Sequence, residues 1–266
     1  MTHSVLMCPP DYFEISYEIN PWMSVKRQVD RKKAKEEWDA YYQLLTQKLK
    51  VNVELLPPVE GLPDMVFTAN AGLVYKKFFI RSNFRFKQRR PEEPYYENWF
   101  RRKGYTVKTV DKPFFFEGEG DALFMGDEFY TGFHFRSDVE AHDAFSVFLH
   151  RTYFALELKD KRFYHLDTCF APLNQKSALI FMPAFETYAQ MVLLENIADP
   201  IFVSEKESLN FACNALILGD DVVMSENCPE TKEQLERRGF KVYELNFSEF
   251  MKSGGAAKCL VLKLAD

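Results

Sequence analysis

The sequence is poor in the residues that would make it a metalloprotein, a secreted framework or a membrane protein. Five histidines occur in 266 residues, none in an HExxH pair, and no two cysteines are spaced CxxC. Zinc is excluded at the level of motif, and no metal site is expected. The five cysteines (Cys8, Cys169, Cys213, Cys228 and Cys259) are odd in number, which reads as reduced thiols and a cytoplasmic location. No apolar run approaches the roughly 20 residues that span a bilayer. The start, MTHSVLMCPPDYFE, lacks the basic residues and long apolar segment of a secretory leader. GxGxxG and GxxxxGK[ST] are both absent, so a nucleotide cradle is not expected, nor any organic cofactor. Net charge is −5, which argues against a nucleic-acid partner. The one basic stretch, RSNFRFKQRR (81–90), is followed at once by PEEP.

What is there in quantity is core. Hydrophobic residues make up 47% of the chain, with 26 Phe and 13 Tyr, a load that favours strands and a filled interior. The pattern alternates. SVLMCPP opens as a strand, and 29–49 carries Ala34, Trp38, Tyr41, Leu45 and Leu49 at helical spacing. VNVELLPP (51–58) reads as a strand, and 65–75 with 76–82 as a hairpin. PEEPYYENWFRRKG (91–104) reads as a helix between Pro91 and Gly104. Strands across 114–133, a helix over 138–150, the strand SALIFMP, the helix ETYAQMVLLENI and the helix 230–239 follow. GGAAKCLVLKL (254–264) reads as a closing strand. Strand–strand–helix–strand units thus recur at roughly 40–60 residues. No Pro-, Gly- or Ser-rich linker divides them, so one α/β domain over 1–266 is expected.

Four segments set polar groups inside apolar runs: PDMVFTANAG (63–72), FEGEGDAL (116–123), FYHLDTCF (163–170) and the Cys259 segment. Buried polar groups are costly unless paired, so such conflicts mark a network or a site. Singly, each has a bland reading. His165 is a core imidazole, GEGD is a run of turn carboxylates, Asn70 caps a turn and Cys259 is a small buried hydrophobe. Together they put a thiol, an imidazole and several carboxylates at the ends of apolar segments, which is the equipment of nucleophilic catalysis.

PDMVFTANAG, FEGEGD, GFHFRSD, FYHLDTCF and GGAAKC resemble, in order and from about residue 5 to 264, the pentein superfamily of guanidine-modifying enzymes. CPPDYFEISYEINPWM, MVFTANAGLV, FEGEGDAL, FYHLDTCF and NFAC are most similar to the arginine dihydrolase domain of cyanobacterial bifunctional enzymes. Deiminases, dimethylarginine dimethylaminohydrolases and amidinotransferases are related alternatives, and a catalytically silent member is a more distant one. The resemblance implies a five-bladed α/β propeller of ββαβ modules with its site in the central channel. It implies Cys259 as nucleophile, His165 as acid and base, and Glu117 as the partner of His165, with Glu119 as a rival for that place. Asp167, Asp64 and Asp121 are expected to hold the guanidinium. Asn70, which donates as well as accepts where a carboxylate only accepts, is expected to hold a neutral ureido group through the ureido carbonyl in a second cycle. Arg136 and Arg89, with Asn20 nearby, are expected to bind the carboxylate of free arginine. Lys258 is expected to point to the far face of a strand and is given no role. The glycines before Cys259 are expected to keep its approach open. The relatives continue into an ornithine-handling domain; this sequence ends at Asp266, and no second activity is expected. Oligomeric state is not legible.

Overall fold

The computed structural model describes residues 3–110 and 113–264. Its strands form five sheets of three, each assembled by the same rule. In chain order, β1 (Ser4–Met7) and β2 (Asn52–Leu55) flank α1 (Arg31–Gln43). β3 (Gly72–Tyr75) and β4 (Phe78–Arg81) form a hairpin, which α2 (Glu93–Arg102) connects to β5 (Thr106–Thr109). The cycle returns as β6 (Ala122–Met125), β7 (Glu128–Phe133), α3 (Val139–Leu149) and β8 (Tyr153–Glu157). It returns again as β9 (Phe170–Pro172), β10 (Ser177–Ile180), α4 (Thr187–Asn196) and β11 (Asp199–Phe202). After the one-turn α5 (Glu205–Ser208) come β12 (Leu216–Leu218), β13 (Asp221–Ser225), α6 (Pro229–Arg237) and β14 (Lys241–Leu245). A second one-turn helix, α7 (Ser248–Met251), precedes β15 (Leu262–Lys263).

In each sheet the first strand is antiparallel to the middle one, and the third is parallel to it. A tight turn suffices for the antiparallel pair, whereas the parallel pair needs a crossover, which the helix supplies. The fifth sheet is shared by the two ends of the chain. β15 pairs antiparallel with β1, Val5 opposite Lys263 and Leu6 opposite Leu262, and β1 runs parallel to β2. The expected five-module α/β propeller is the architecture found.

The helices follow their local signals. Asp30 caps α1 by accepting from the backbone N–H of Lys32 and Lys33, and Ala34, Trp38 and Tyr41 form its buried stripe. Beyond Gln43 the helix widens into a single π turn over Leu44–Lys48. α2 starts behind Pro91 and ends before Gly104, whose φ of +84° suits a residue without Cβ. α6 starts at Pro229, and the buried carboxylate of Glu207 accepts from the N–H groups of Glu230 and Thr231, both at 2.8 Å.

Ahead of each module's first strand lies a buried segment that is neither helix nor extended. Two 3₁₀ turns, Pro63–Val66 and Thr68–Ala71, precede β3; Gly118–Gly120 precedes β6; and Leu166–Thr168 precedes β9. Turns at 209–213 and 257–260 precede β12 and β15. This corrects the expectation of continuous strands over 65–75 and 254–264. These stretches satisfy their buried amides locally: Phe67 N donates to Asp64 O (3.0 Å), Asp121 N to Gly118 O (3.1 Å), Cys169 N to Leu166 O (3.0 Å) and Val261 N to Lys258 O (3.1 Å). Local bonds of this kind need no neighbouring strand. Strand alternation therefore does not govern Lys258.

The turn before β6 depends on Gly118, at φ +60°. A Cβ there would lie 2.6 Å from the backbone N and O of Gly72 and 2.7 Å from Ala69 O. Rigid backbone cannot yield to it, so Gly118→Ala is expected to cost about 2–4 kcal/mol by urea denaturation. A loss under about 0.5 kcal/mol would contradict this close approach.

Candidate active site

The pre-strand segments put chemically different residues at equivalent places. Glu117 and His165 each stand five residues ahead of their strand, β6 and β9. Glu119, Asp167 and Cys259 each stand three ahead, and Asn70 and Asn214 two ahead. A five-module ring brings such positions together at one level around its axis.

His165 is fixed by Glu117. Its Nε2 lies 2.8 Å from Glu117 Oε2, and the same oxygen accepts from Arg136 Nη1 at 2.8 Å. The other Glu117 oxygen accepts from Arg85 N at 3.2 Å. Burial opposes ionisation of Glu117, but Arg136 and the His165 ring override it and hold the carboxyl well below the usual range. An ionised carboxylate only accepts, so the imidazole proton sits on Nε2 and Nδ1 is a bare lone pair. Burial lowers the pKa of His165 to about 4, against the pull of Glu117. Glu119 has a different partner: its Oε2 lies 2.7 Å from Lys258 Nζ and 3.2 Å from Lys263 N. Of the two glutamates in FEGEGD, Glu117 is the one on the histidine.

Cys259 is 2% exposed. Its Sγ donates towards Asp167 Oδ2 at 3.4 Å and receives a hydrogen bond from Asn214 Nδ2 at 3.1 Å. Burial, then the Asp167 charge, push the thiol up, so it rests protonated. Asp167 is itself raised to about 7, by burial, with Lys258 opposing. Lys258 thus lies buried behind the nucleophile rather than on a far face. The glycines before Cys259 serve packing. A Cβ on Gly254 would sit 2.8 Å from Tyr164 Oη, and one on Gly255 2.7 Å from Phe67 Cε1.

Four buried polar atoms in this cluster have no partner: Asp64 Oδ1, Asn70 Nδ2, His165 Nδ1 and Asp167 Oδ1. Others lie elsewhere among the described residues, both His142 nitrogens for example, but these four are all on residues singled out from the sequence, and each unpaired buried group is one that a ligand could satisfy. Asp64 keeps one oxygen on Tyr17 Oη (2.8 Å), and burial raises its pKa. Asn70 Oδ1 accepts from Arg89 Nη1 at 2.8 Å. A guanidinium can only donate, so the Asn70 orientation is settled and its N–H₂ is the free end.

The remaining expected residues are engaged by the protein. Asp121 accepts from Ser137 Oγ (2.7 Å) and Leu166 N (3.0 Å), which makes it a staple between two modules instead of a guanidinium ligand. Asn20 accepts from Trp22 N and Met23 N and donates to Ser253 O. Arg89 is clasped bidentately by Glu92, both bonds 2.9 Å, and also donates to Asp64 O. Arg136 donates to Glu117 and to Ile19 O, and lies over the rings of Phe86 and Tyr164. Sequence reasoning missed Asn214 and Glu92. NFAC ran up to Asn214 without including it, and PEEP was read as the end of a basic run.

Behind Asp167 and Lys258, a cavity of about 100 Å³ opens on the axis, lined by residues such as Leu73, Leu123, Phe170, Ile217 and Lys263. Each of these comes from the first strand of a different module. Among the described residues, no group of three or more His, Cys, Asp or Glu is placed to hold a metal ion. No helix there is long and apolar enough to cross a membrane.

A family model described as N,N dimethylarginine dimethylhydrolase, eukaryotic, matches residues 10–265. The bifunctional arginine dihydrolase/ornithine cyclodeaminase ArgZ of Synechocystis is 42% identical over 98% of this chain but only 38% of its own length. The chain therefore spans about two fifths of that relative. The N(G),N(G)-dimethylarginine dimethylaminohydrolase of Mycobacterium tuberculosis is 36% identical, covering 99% of this chain and 86% of that protein. The crystal structure of the N-terminal domain of cyanobacterial ArgZ, a cysteine-to-serine mutant bound to substrate, superposes with a TM-score of 0.95. It is 41% identical and covers 99% of this chain and 98% of that one. These are pentein enzymes, and the fold is theirs.

Glu117→Gln leaves the buried Arg136 without its counter-charge and is expected both to cost about 3–5 kcal/mol on denaturation and to lower kcat on the order of 10²-fold. Glu119→Gln strands Lys258 in the same way and is expected to cost about 3–5 kcal/mol, with a smaller effect on kcat in the fraction that folds. A loss of kcat on the order of 10²-fold in Glu119→Gln but not in Glu117→Gln would put the histidine partner at Glu119.

The pH dependence of stability follows from Asp167. Its folded pKa, about 7, lies above the ordinary carboxyl value of 3.8. The fold favours the protonated form, so its cost is absent below the unfolded value, grows as pH rises towards about 7 and is complete within about a unit above it. His165 acts oppositely: its contribution is full above the ordinary imidazole value of 6.5 and is lost towards about 4. From about pH 6.5 to 8, then, the wild-type urea midpoint should fall more steeply than that of Asp167→Asn. Parallel slopes would contradict the raised Asp167.

Proposed function

This chain belongs to the dimethylarginine dimethylaminohydrolase family, and from that premise we propose that it hydrolyses the guanidino group of arginine twice. The products are ornithine, carbon dioxide and two ammonia, the activity named for ArgZ. The observation that carries the reading is the set of four unpartnered buried atoms. Asp64 Oδ1 and Asp167 Oδ1 accept from a guanidinium, which offers only donors. His165 Nδ1 accepts a proton, and Asn70 Nδ2 donates.

A guanidinium beside Cys259 favours the ionised thiol by opposite charge. The thiol proton passes to His165 Nδ1, and Sγ forms a bond to the guanidino carbon. His165 returns the proton to a terminal nitrogen, the C–N bond breaks, and ammonia leaves. His165 then takes a proton from water, and the hydroxide adds to the amidino carbon. The C–S bond breaks as His165 returns that proton to sulfur, which restores the thiol, and the hydroxyl proton is lost to solvent, which leaves the ureido group of citrulline.

Asn70 makes the second round possible. A ureido group carries a carbonyl, which the free N–H₂ of Asn70 can hold, whereas a carboxylate at that place would repel it. Arg89 occupies the Asn70 oxygen, which leaves the N–H₂ for the ureido carbonyl. In the second round Sγ attacks the ureido carbon, the second ammonia leaves, and water releases N-carboxy-ornithine, which loses carbon dioxide. Arg136, with part of its donor fork uncommitted, is the better-placed of the two arginines for the substrate carboxylate. The free state of all five cysteines fits the cytoplasmic location.

Incubation with L-arginine and mass-spectrometric counting of products tests this. Two ammonia per ornithine, with citrulline absent or transient, is the expected result. Citrulline with one ammonia would make the chain a deiminase. Turnover of dimethylarginine alone would place it with the mycobacterial relative, and no turnover of either would overturn the reading.

A further inference from the structure

Asn214 lies in the buried turn between α5 and β12, at the place in its module that Asn70 holds in another. Every hydrogen-bonding position of its side chain is used. Nδ2 donates to Asp167 O at 3.0 Å and to Cys259 Sγ at 3.1 Å. Oδ1 accepts from Ala256 N at 2.9 Å and from Cys259 N at 3.3 Å. Its own backbone O accepts from Lys258 N at 3.1 Å. The amide cannot be turned around, because its N–H₂ would then face two backbone N–H groups. One side chain thus ties together the nucleophile's loop, the backbone of the histidine segment and the reactive sulfur.

The charges around the sulfur sharpen the point. Asp167, 3.4 Å away, opposes a negative sulfur. Lys258 favours one, but its Nζ is turned to Glu119 and to Val261 O. Asn214 Nδ2 is the donor that the described residues place on Sγ itself.

We propose that Asn214 is the thiolate anchor of this site. Its N–H receives the charge when the Cys259 proton leaves, and its carbonyl fixes the Cys259 backbone so that Sγ keeps its aim. The inference rests on Cys259 being the nucleophile. It adds the group that makes ionisation of so buried a thiol feasible, since hydrogen bonding to the charged form favours that form.

The test needs no substrate. The rate of iodoacetamide alkylation of Cys259 is followed against pH by peptide mass spectrometry in wild type, Asn214→Ala and Asn214→Ser, with Cys259→Ser as blank. The readout is the pH midpoint, which reports charge stabilisation rather than access. Asn214→Ala should raise the midpoint by about one pH unit and, with arginine, lower kcat by about tenfold while KM stays within about twofold. Asn214→Ser, whose hydroxyl can still accept from the loop amides but is too short to reach the sulfur, should shift the midpoint equally and keeps the test alive if the alanine variant does not fold. An unchanged midpoint in either folded variant overturns the proposal. Turnover of arginine that survives in Cys259→Ser would instead bring down the nucleophile reading, and this inference with it.

Discussion

The last strand has to find the first. β15 is two residues long, yet its pairing with β1 completes the fifth sheet and closes the ring. Closing so long a loop costs entropy that grows only logarithmically with length. Packing returns it: Val5, Met7, Ala256, Ala257, Cys259, Leu260 and Val261 share one buried cluster with α1 and the Phe211 turn. Tyr41 Oη adds a bond from α1 to Ala257 O at 3.0 Å. The segment that shuts the ring also carries Cys259, the proposed nucleophile, to Asp167 and Asn214.

The ring also explains how so many polar groups stay buried. Each module sends one tight turn to the axis, and the turns satisfy one another across module boundaries. Asp121 holds the His165 segment through Leu166 N, Asn214 holds it through Asp167 O, and Ala69 N donates to Cys259 O at 3.2 Å. Such networks are stabilising only when nearly every member is paired. The few unpaired atoms left are therefore where a ligand can gain most, and they match a flat cation with acceptors and a ureido oxygen with a donor.

Much of this was legible in the sequence. The 3.6-residue stripe of Ala34, Trp38 and Tyr41, and the Pro91 and Gly104 boundaries, mark helices by local physics alone. Motif order pointed to the five-module ring and to most of the residues that meet at its axis. The axis turns were misread as strands because a short apolar run with a buried carboxylate looks alike in either state. Only the backbone bonding decides: bonds three residues back within the turn, as here, or a ladder to a neighbouring strand. The same error misplaced Lys258 and hid Asn214, whose equivalence to Asn70 appears once the strand starts are known. Glu92 was invisible for a related reason: its pairing with Arg89 depends on how the 3₁₀ turn at Arg90–Glu92 folds.

The central claim is that closure of the ring makes Cys259 a covalent catalyst. Rapid quenching during turnover of arginine labelled with ¹³C at the guanidino carbon, followed by peptide mass spectrometry, addresses it directly. The account predicts a labelled amidino adduct on the Cys259 peptide that appears and decays within the turnover time. Turnover with no labelled adduct, or with the label on another residue, would contradict it.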